Sequence, residues 1–174
     1  MNQGNIFLIG FMGAGKSTVA KSLCRMMERE LCEMDEMLVK RAGMPIAEIF
    51  KQYGEEHFRK METQLLIDLQ QEKNVVVSCG GGAVMREENV SYMKECGKII
   101  LLTAEPETIY ERVKHSTNRP ILNGHMNVDY IRELMEKRKG RYEAVADIKA
   151  ATDGKSVNEI CAEITAGLSA EGWR

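Results

Sequence analysis

A chain of 174 residues, 44% hydrophobic and 29% charged, is long enough for one domain with a real core and too short for two comfortable ones. Its net charge of −2 argues against a general binder of nucleic acid or of membrane surfaces, and no apolar run approaches the roughly 20 residues of a membrane span. Cys24, Cys32, Cys79, Cys96 and Cys161 are dispersed with no C-x-x-C pair, which points to reduced thiols and away from a disulfide framework or a zinc site.

Met1-Asn2-Gln3-Gly4 leads at once into the apolar run Ile6-Phe7-Leu8-Ile9, leaving no room for a signal peptide, so a cytoplasmic protein is expected. The run reads as a buried strand. It feeds Gly10-Phe11-Met12-Gly13-Ala14-Gly15-Lys16-Ser17-Thr18, which fits G-x-x-x-x-G-K-[ST], and Val19 to Cys24 then reads as a helix opening. Strand, loop and helix in that order are the context in which this pattern binds phosphate. Glycines at 10, 13 and 15 let successive N–H groups turn toward one anion, and the helix N-terminus adds partial positive charge. Lys16 can reach the outer phosphates of a nucleotide, and the Ser17 hydroxyl can ligate Mg²⁺. Nucleotide binding through Gly13, Ala14, Gly15, Lys16, Ser17 and Thr18 follows, with the helix expected over 16–30.

Leu31 to Asp35 reads as a short, weak strand ending in an acid. In extended chain Glu33 and Asp35 face the same side. Beside a Mg-nucleotide, one carboxylate can hold the metal through water while the other orients or deprotonates a hydroxyl. A solvated strand end explains the same spacing equally well. From Glu36 to about Gln71 the chain is polar and mostly helical, broken near Gly43-Met44-Pro45 and near Gly54. Within it Arg59 and Glu62 are neighbours on one helix face, with Phe50 and Phe58 close by. They fit either an apolar pocket with an arginine fork for an anion, or an ordinary ion pair beside two core aromatics. Periodicity alone leans to the second.

Val75 to Ser78 is the cleanest buried strand, and it runs into Cys79-Gly80-Gly81-Gly82. A bare turn needs one or two glycines; three imply that the backbone passes very close to something. Ser78 stands where many phosphate-loop proteins carry an aspartate, so the acid work falls to Glu33 and Asp35. A helix near 86–95, a buried strand over Lys98–Leu102 and a helix from Pro106 to about Lys114 follow. Ser, Thr, Asn, Pro and Gly cluster over His115–Asn127, an exposed loop holding Arg119-Pro120. It is either a plain basic loop or a lid that brings positive charge to a transferring phosphoryl group on closing. A long helix over 128–145 carries Arg138 and Arg141, by default a solvated basic face. A weak strand near 148–151 and the turn Thr152-Asp153-Gly154 lead to a final helix, from Ser156 to about Gly167. There Val157, Ile160, Cys161, Ile164 and Leu168 share a face. His57, His115 and His125 are too dispersed for a metal site.

Strands alternating with helices mean a parallel sheet covered on both faces, with ligands at the strand carboxyl ends. Gly10–Ser17, Asp35 and Gly80–Gly82 should therefore converge on one crevice.

Taken together these segments resemble shikimate kinase, of the nucleoside-monophosphate-kinase-like phosphate-loop group, over nearly the whole chain. The resemblance is carried by G-F-M-G-A-G-K-S-T, the acids at 33 and 35, F-x-x-x-G-E-x-x-F-R-x-x-E from Phe50 to Glu62, S-C-G-G-G from Ser78, Arg119-Pro120, R-x-x-x-Y from Arg138 to Tyr142, and T-D-G-K-S from Thr152. It implies a single three-layer α-β-α domain over 1–174, with a central five-stranded parallel sheet, a helical substrate-binding segment at about 33–62 and a mobile lid at about 115–126. It also implies an enzyme that uses ATP and Mg²⁺ to phosphorylate the 3-hydroxyl of shikimate, a step of the chorismate pathway to aromatic amino acids.

By the same resemblance Lys16, Asp35 and Arg119 are catalytic, and shikimate is held by Asp35, Arg59, Gly80, Gly81, Gly82 and Arg138. Arg59 and Arg138 would grip its carboxylate. Ser17 and Glu33 serve the metal, while Arg112, Arg119 and Lys155 join the phosphate loop in binding ATP, with Arg112 and Lys155 near the adenine. A cytoplasmic monomer with no nucleic-acid or membrane partner is expected. Three positions depart from the family pattern. Glu33 replaces the first acid of a D-x-D pair, Gly140-Arg141 stands where a proline is usual, and Lys155 stands where arginine is frequent. The competing readings are a gluconate kinase, a nucleoside monophosphate kinase, or a non-catalytic nucleotide-binding protein.

Overall fold

The computed structural model describes residues 4–115 and 127–173. Arg119, Pro120, His125 and all but His115 of the expected lid lie outside the described residues. Five parallel strands form one sheet: β1 (Asn5–Ile9), β2 (Glu30–Glu33), β3 (Val75–Ser78), β4 (Gly97–Thr103) and β5 (Ile148–Ala151), in the order β2-β3-β1-β4-β5. The helices are α1 (Lys16–Met27), α2 (Met34–Ala42), α3 (Ile46–Leu69), α4 (Glu87–Cys96), α5 (Pro106–Val113), α6 (Val128–Val145) and α7 (Val157–Ala170), with a 3-10 turn at Ala83–Met85.

Every residue of β1 and β3 is buried, as continuous apolar strands in the middle of a two-sided sheet require, whereas β2 and β5 at the edges bury only some of theirs. The connection from β1 runs outward to β2, and each later connection runs the opposite way across the sheet. With right-handed crossovers this puts α1 on one face and α3, α4 and α6 on the other. α7 returns to the first face and packs on α1 through Ile160, Cys161, Ile164 and Leu168, the stripe expected from the sequence. Asn5, fully buried, is satisfied. Its amide donates to Leu69 and Glu72 carbonyls and its oxygen accepts from Val75 N–H at 3.1 Å, so the starts of β1 and β3 are fixed together.

One expectation fails. β2 ends at Glu33, and Asp35 lies in the first turn of α2. Met34 and Leu38, four apart, are both fully buried, and Asp35 with Glu36 brings negative charge to a helix N-terminus. Helix therefore wins over strand at Met34, and Glu33 and Asp35 do not share a strand face. The first helix is also shorter than expected. It stops at Met27, where Glu28 turns left-handed with φ 53°. The breaks at Gly43–Pro45 and at Gly54 stand where the sequence puts them; Gly54 has φ 83° inside α3.

Candidate active site

The loop after β1 is shaped by its glycines. Gly13 and Gly15 have φ of 76° and 100°, a region that side chains disfavour, and Gly15 opens α1 with no side-chain cap. The first N–H groups of α1 thus lack a side-chain acceptor and can serve an anion. Lys16 bends back over the loop, its Nζ donating to the carbonyls of Gly10 at 2.8 Å and Phe11 at 3.1 Å. Ser17 and Thr18 are exposed. Arg112 on α5 closes the outer side, with Nη1 donating to Gly13 O at 3.0 Å and to the Thr152 hydroxyl at 3.1 Å.

The acid expected to serve a metal sits against this loop. Ser17 Oγ donates to Glu33 Oε2 at 2.9 Å, and the Ser78 hydroxyl lies 3.4 Å from Ser17 Oγ. The other oxygen, Glu33 Oε1, is buried with no hydrogen-bond partner among the described residues. Asp35 points elsewhere, toward the turn after β3. The two acids, separated by the strand-to-helix change at Met34, thus lie against different loops, Glu33 by Ser17 and Asp35 by Gly80.

That turn explains its three glycines sterically. A Cβ on Gly80 would stand 2.9 Å from Glu62 Oε1 and 3.3 Å from Asp35 Oδ1. On Gly81 it would stand 3.3 Å from Arg138 Nη1, and on Gly82 it would overlap the Arg59 guanidinium, 2.5 Å from Nη1. Each glycine makes room for a different polar side chain, and those side chains come from α2, α3 and α6.

Arg59 is held firmly. Its Nη1 donates to Glu62 Oε2 at 2.6 Å and its Nη2 to Glu55 at 3.2 Å, and its guanidinium lies 5.5 Å from the Phe58 ring centre. Burial works against the Arg59 charge, but Glu62 and Glu55 more than offset it and hold its pKa above the ordinary value. Glu62 is 1% exposed, and burial pushes its carboxyl up, with Asp35 adding to the rise and Arg59 opposing it. Below the pair, buried Thr63 donates to Asn89 Oδ1 at 2.7 Å, and Asn89 donates to the Ala83 carbonyl at 2.8 Å, so α3, α4 and the glycine turn are joined. The Phe50 and Phe58 rings lie 4.8 Å apart, tilted by 36°; Phe58 is buried in the core and Phe50, half-buried, packs against it.

Lys16, Ser17, Glu33, Asp35, Arg59, Gly80, Gly81, Gly82, Arg112 and Arg138 therefore gather at the carboxyl ends of β1, β2 and β3. Lys155 is directed away, its Nζ 2.6 Å from Glu163 on α7. Two residues on α6 exceed expectation. Tyr142 donates to Gly81 O at 2.6 Å, and Arg141, read as part of a solvated face, donates from Nε to Val84 O at 2.6 Å and from Nη1 to Glu87 at 2.8 Å. The R-x-x-x-Y spacing flagged Tyr142; nothing local marks Arg141, whose partners lie more than fifty positions earlier. A separate groove of about 560 Å³ follows the outer edge of β2 between α2 and α3, and shares only Glu33 with these residues.

A family model described as "Shikimate kinase" matches residues 12–169. A shikimate kinase of Dehalococcoides mccartyi is 40% identical over 166 residues, covering 95% of this chain and 94% of that protein. Among solved structures, the shikimate kinase of Acinetobacter baumannii in complex with shikimate is 30% identical with a TM-score of 0.90, covering 98% of this chain and 96% of that one. That of Aquifex aeolicus is 39% identical with a TM-score of 0.83, covering 97% and 98%.

Proposed function

The chain belongs to the shikimate kinase family, and on that premise we propose how its residues divide the ATP-dependent phosphorylation of shikimate between them. The observation that carries the division is the turn Gly80–Gly82. Asp35 with Glu62, Arg138, and Arg59 crowd its three glycines in succession, one crevice away from the phosphate loop.

The loop N–H groups of Gly13 to Thr18 and the Lys16 ammonium take the ATP phosphates, Lys16 leaving the Gly10 and Phe11 carbonyls for the outer ones. Arg59 and Arg138 grip the shikimate carboxylate, Arg59 as a planar fork preset by Glu62. Asp35 accepts hydrogen bonds from ring hydroxyls and orients the 3-hydroxyl, taking its proton as the oxygen bonds to the γ-phosphorus and the bond from that phosphorus to the β,γ-bridging oxygen breaks, so that ADP leaves and shikimate 3-phosphate forms. With both ligands fixed, the transfer becomes effectively unimolecular. Arg119, with Lys16, is proposed to neutralise the transferring group, and the 115–126 segment to act as a lid. Arg112 and Lys155 are proposed on the adenine side, Arg112 with the better support because it already lies against Gly13.

The residues present fit Mg²⁺. Among the described residues no three acids, histidines or cysteines form a cage, which suits an ion bound largely through phosphates and water. Ser17 Oγ is positioned for direct ligation, and the unpartnered, buried Glu33 Oε1 is suited to accept from coordinated water. When bound, Mg²⁺ would neutralise negative charge on the nucleotide phosphates.

The chain is further proposed to act as a single-domain cytoplasmic monomer that binds neither nucleic acid nor membrane. In support, among the described residues no helix is long and apolar enough to cross a membrane, the large exposed apolar residues Met26, Leu31, Tyr53 and Met85 are scattered along the chain, and five cysteines are free. The deciding experiment offers purified protein Mg-ATP with shikimate, gluconate or AMP and follows products by phosphorus NMR. A new phosphomonoester with shikimate alone is expected; turnover with only gluconate or AMP overturns the reading.

A further inference from the structure

α6 touches the glycine turn and the residues after it with three side chains in quick succession. Arg138 Nη1 lies beside Gly81, and the Tyr142 hydroxyl donates to the Gly81 carbonyl at 2.6 Å. Arg141 reaches further. Its Nε donates to Val84 O in the 3-10 turn at 2.6 Å, and its Nη1 pairs with Glu87 at the start of α4 at 2.8 Å. One guanidinium thus joins α6 to two consecutive elements that descend from Gly80–Gly82.

Between Arg138 and Arg141 stands Gly140, with open space where a side chain would be. Glycine is a poor helix former, so this turn of α6 gains little from intrinsic helix propensity beside Arg138. Arg141 and Tyr142 supply the missing constraint from outside. Arg141 Nη2 is buried without a hydrogen-bond partner among the described residues. An anchor needed for stability alone would be better made by an apolar side chain, which leaves no buried donor unsatisfied. A guanidinium fork instead fixes direction, because its donors are planar and rigid.

We propose that Arg141 is a positioning residue for the acceptor substrate. It sets α6 against the Gly80–Gly82 turn and thereby holds Arg138 where the shikimate carboxylate arrives. The proposal rests on the reading of Arg138 as a carboxylate ligand.

The test is a double-mutant cycle in steady-state kinetics. Arg141→Met keeps the apolar stem and removes the donors; it is expected to raise the shikimate KM about tenfold, with kcat and the ATP KM within about twofold. In an Arg138→Met background the same change is expected to alter the shikimate KM by less than about twofold, because Arg141 acts through Arg138. Glu87→Gln, which removes only the outer partner, is expected to raise the shikimate KM by about two- to threefold and keeps the question open to measurement if Arg141→Met does not fold. An unchanged shikimate KM in Arg141→Met, or penalties that multiply in the double variant, overturns the proposal while leaving Arg138 in the site. An unchanged shikimate KM in Arg138→Met overturns the carboxylate reading, and the role of Arg141 with it.

Discussion

The two halves of the site are built from different materials. The half proposed for phosphate is backbone: Gly10 to Thr18, a run of N–H groups shaped by three glycines at positive φ and the start of α1. The half proposed for shikimate is side chain, with Asp35, Arg59, Glu62 and Arg138 brought from three helices onto a turn stripped of side chains to receive them. A backbone site is fixed by local φ and ψ, and it tolerates substitution of its neighbours. A side-chain site depends on packing at several points, so a methyl group or a proton should disturb it.

The largest effect is expected where the backbone half relies on the charged side chain within its own loop. Lys16→Ala removes the cation proposed to leave the Gly10 and Phe11 carbonyls for phosphate. A fall in kcat of about 10³-fold is expected, with an unchanged melting temperature, since the charge is needed chiefly in the transition state. A tenfold loss or less would mean that backbone alone carries the phosphate half.

Next comes the methyl group. Gly82→Ala places a Cβ 2.5 Å from Arg59 Nη1, while the backbone there, φ −98°, accepts alanine without strain. The guanidinium must move, because the contact is with the far end of a flexible side chain. A roughly 10²-fold fall in kcat/KM for shikimate is expected, with the ATP KM unchanged. Equal damage to both substrates would break the division into halves.

Much of this was legible beforehand, and unevenly so for a physical reason. β3, β5 and α6 appear where apolar runs and helical periodicity put them, and the phosphate loop is a contiguous pattern. The triple glycine announced a close approach without saying to what, because Glu62, Asp35, Arg138 and Arg59 reach it from distant positions. The sequence alone suggests a strand at Asp35, and helix wins because so short a segment is decided by the burial of Met34 and Leu38, a tertiary fact. Arg141 gave no local signal, since its partners Val84 and Glu87 are neighbours only in the folded chain.

A proton should separate the halves more gently. Burial raises the Glu62 pKa, with Asp35 adding and Arg59 and Arg86 opposing. A carboxyl raised in the folded state contributes stability that is fully present below its unfolded pKa and is lost as pH rises through its folded pKa. Glu62→Gln imitates the protonated form at every pH. The melting temperature of the variant relative to the parent should therefore climb as pH rises above the ordinary carboxylate range, and a flat or falling difference would refute this. The same variant leaves the Arg59 fork without its carboxylate partner. The shikimate KM should rise about tenfold at neutral pH while the ATP KM stays put.

The smallest effect is expected at Lys155, and it sharpens the comparison from the nucleotide side. Its ammonium is paired with Glu163 at 2.6 Å, and both side chains are substantially exposed. Such pairs contribute about 0.2–1 kcal/mol, too little to matter to the fold. For Lys155 to meet an adenine it must give up Glu163, and a point charge offers no planar face for stacking in return. Lys155→Ala should then change the ATP KM by less than about twofold. Arg112→Ala, by contrast, removes the contacts to Gly13 O and Thr152 and should raise that KM severalfold. A tenfold rise in the Lys155 variant would mean that the ammonium leaves Glu163 on binding. The nucleotide half would then depend on a moving side chain as well as on backbone, and the contrast with the shikimate half would weaken to one of degree.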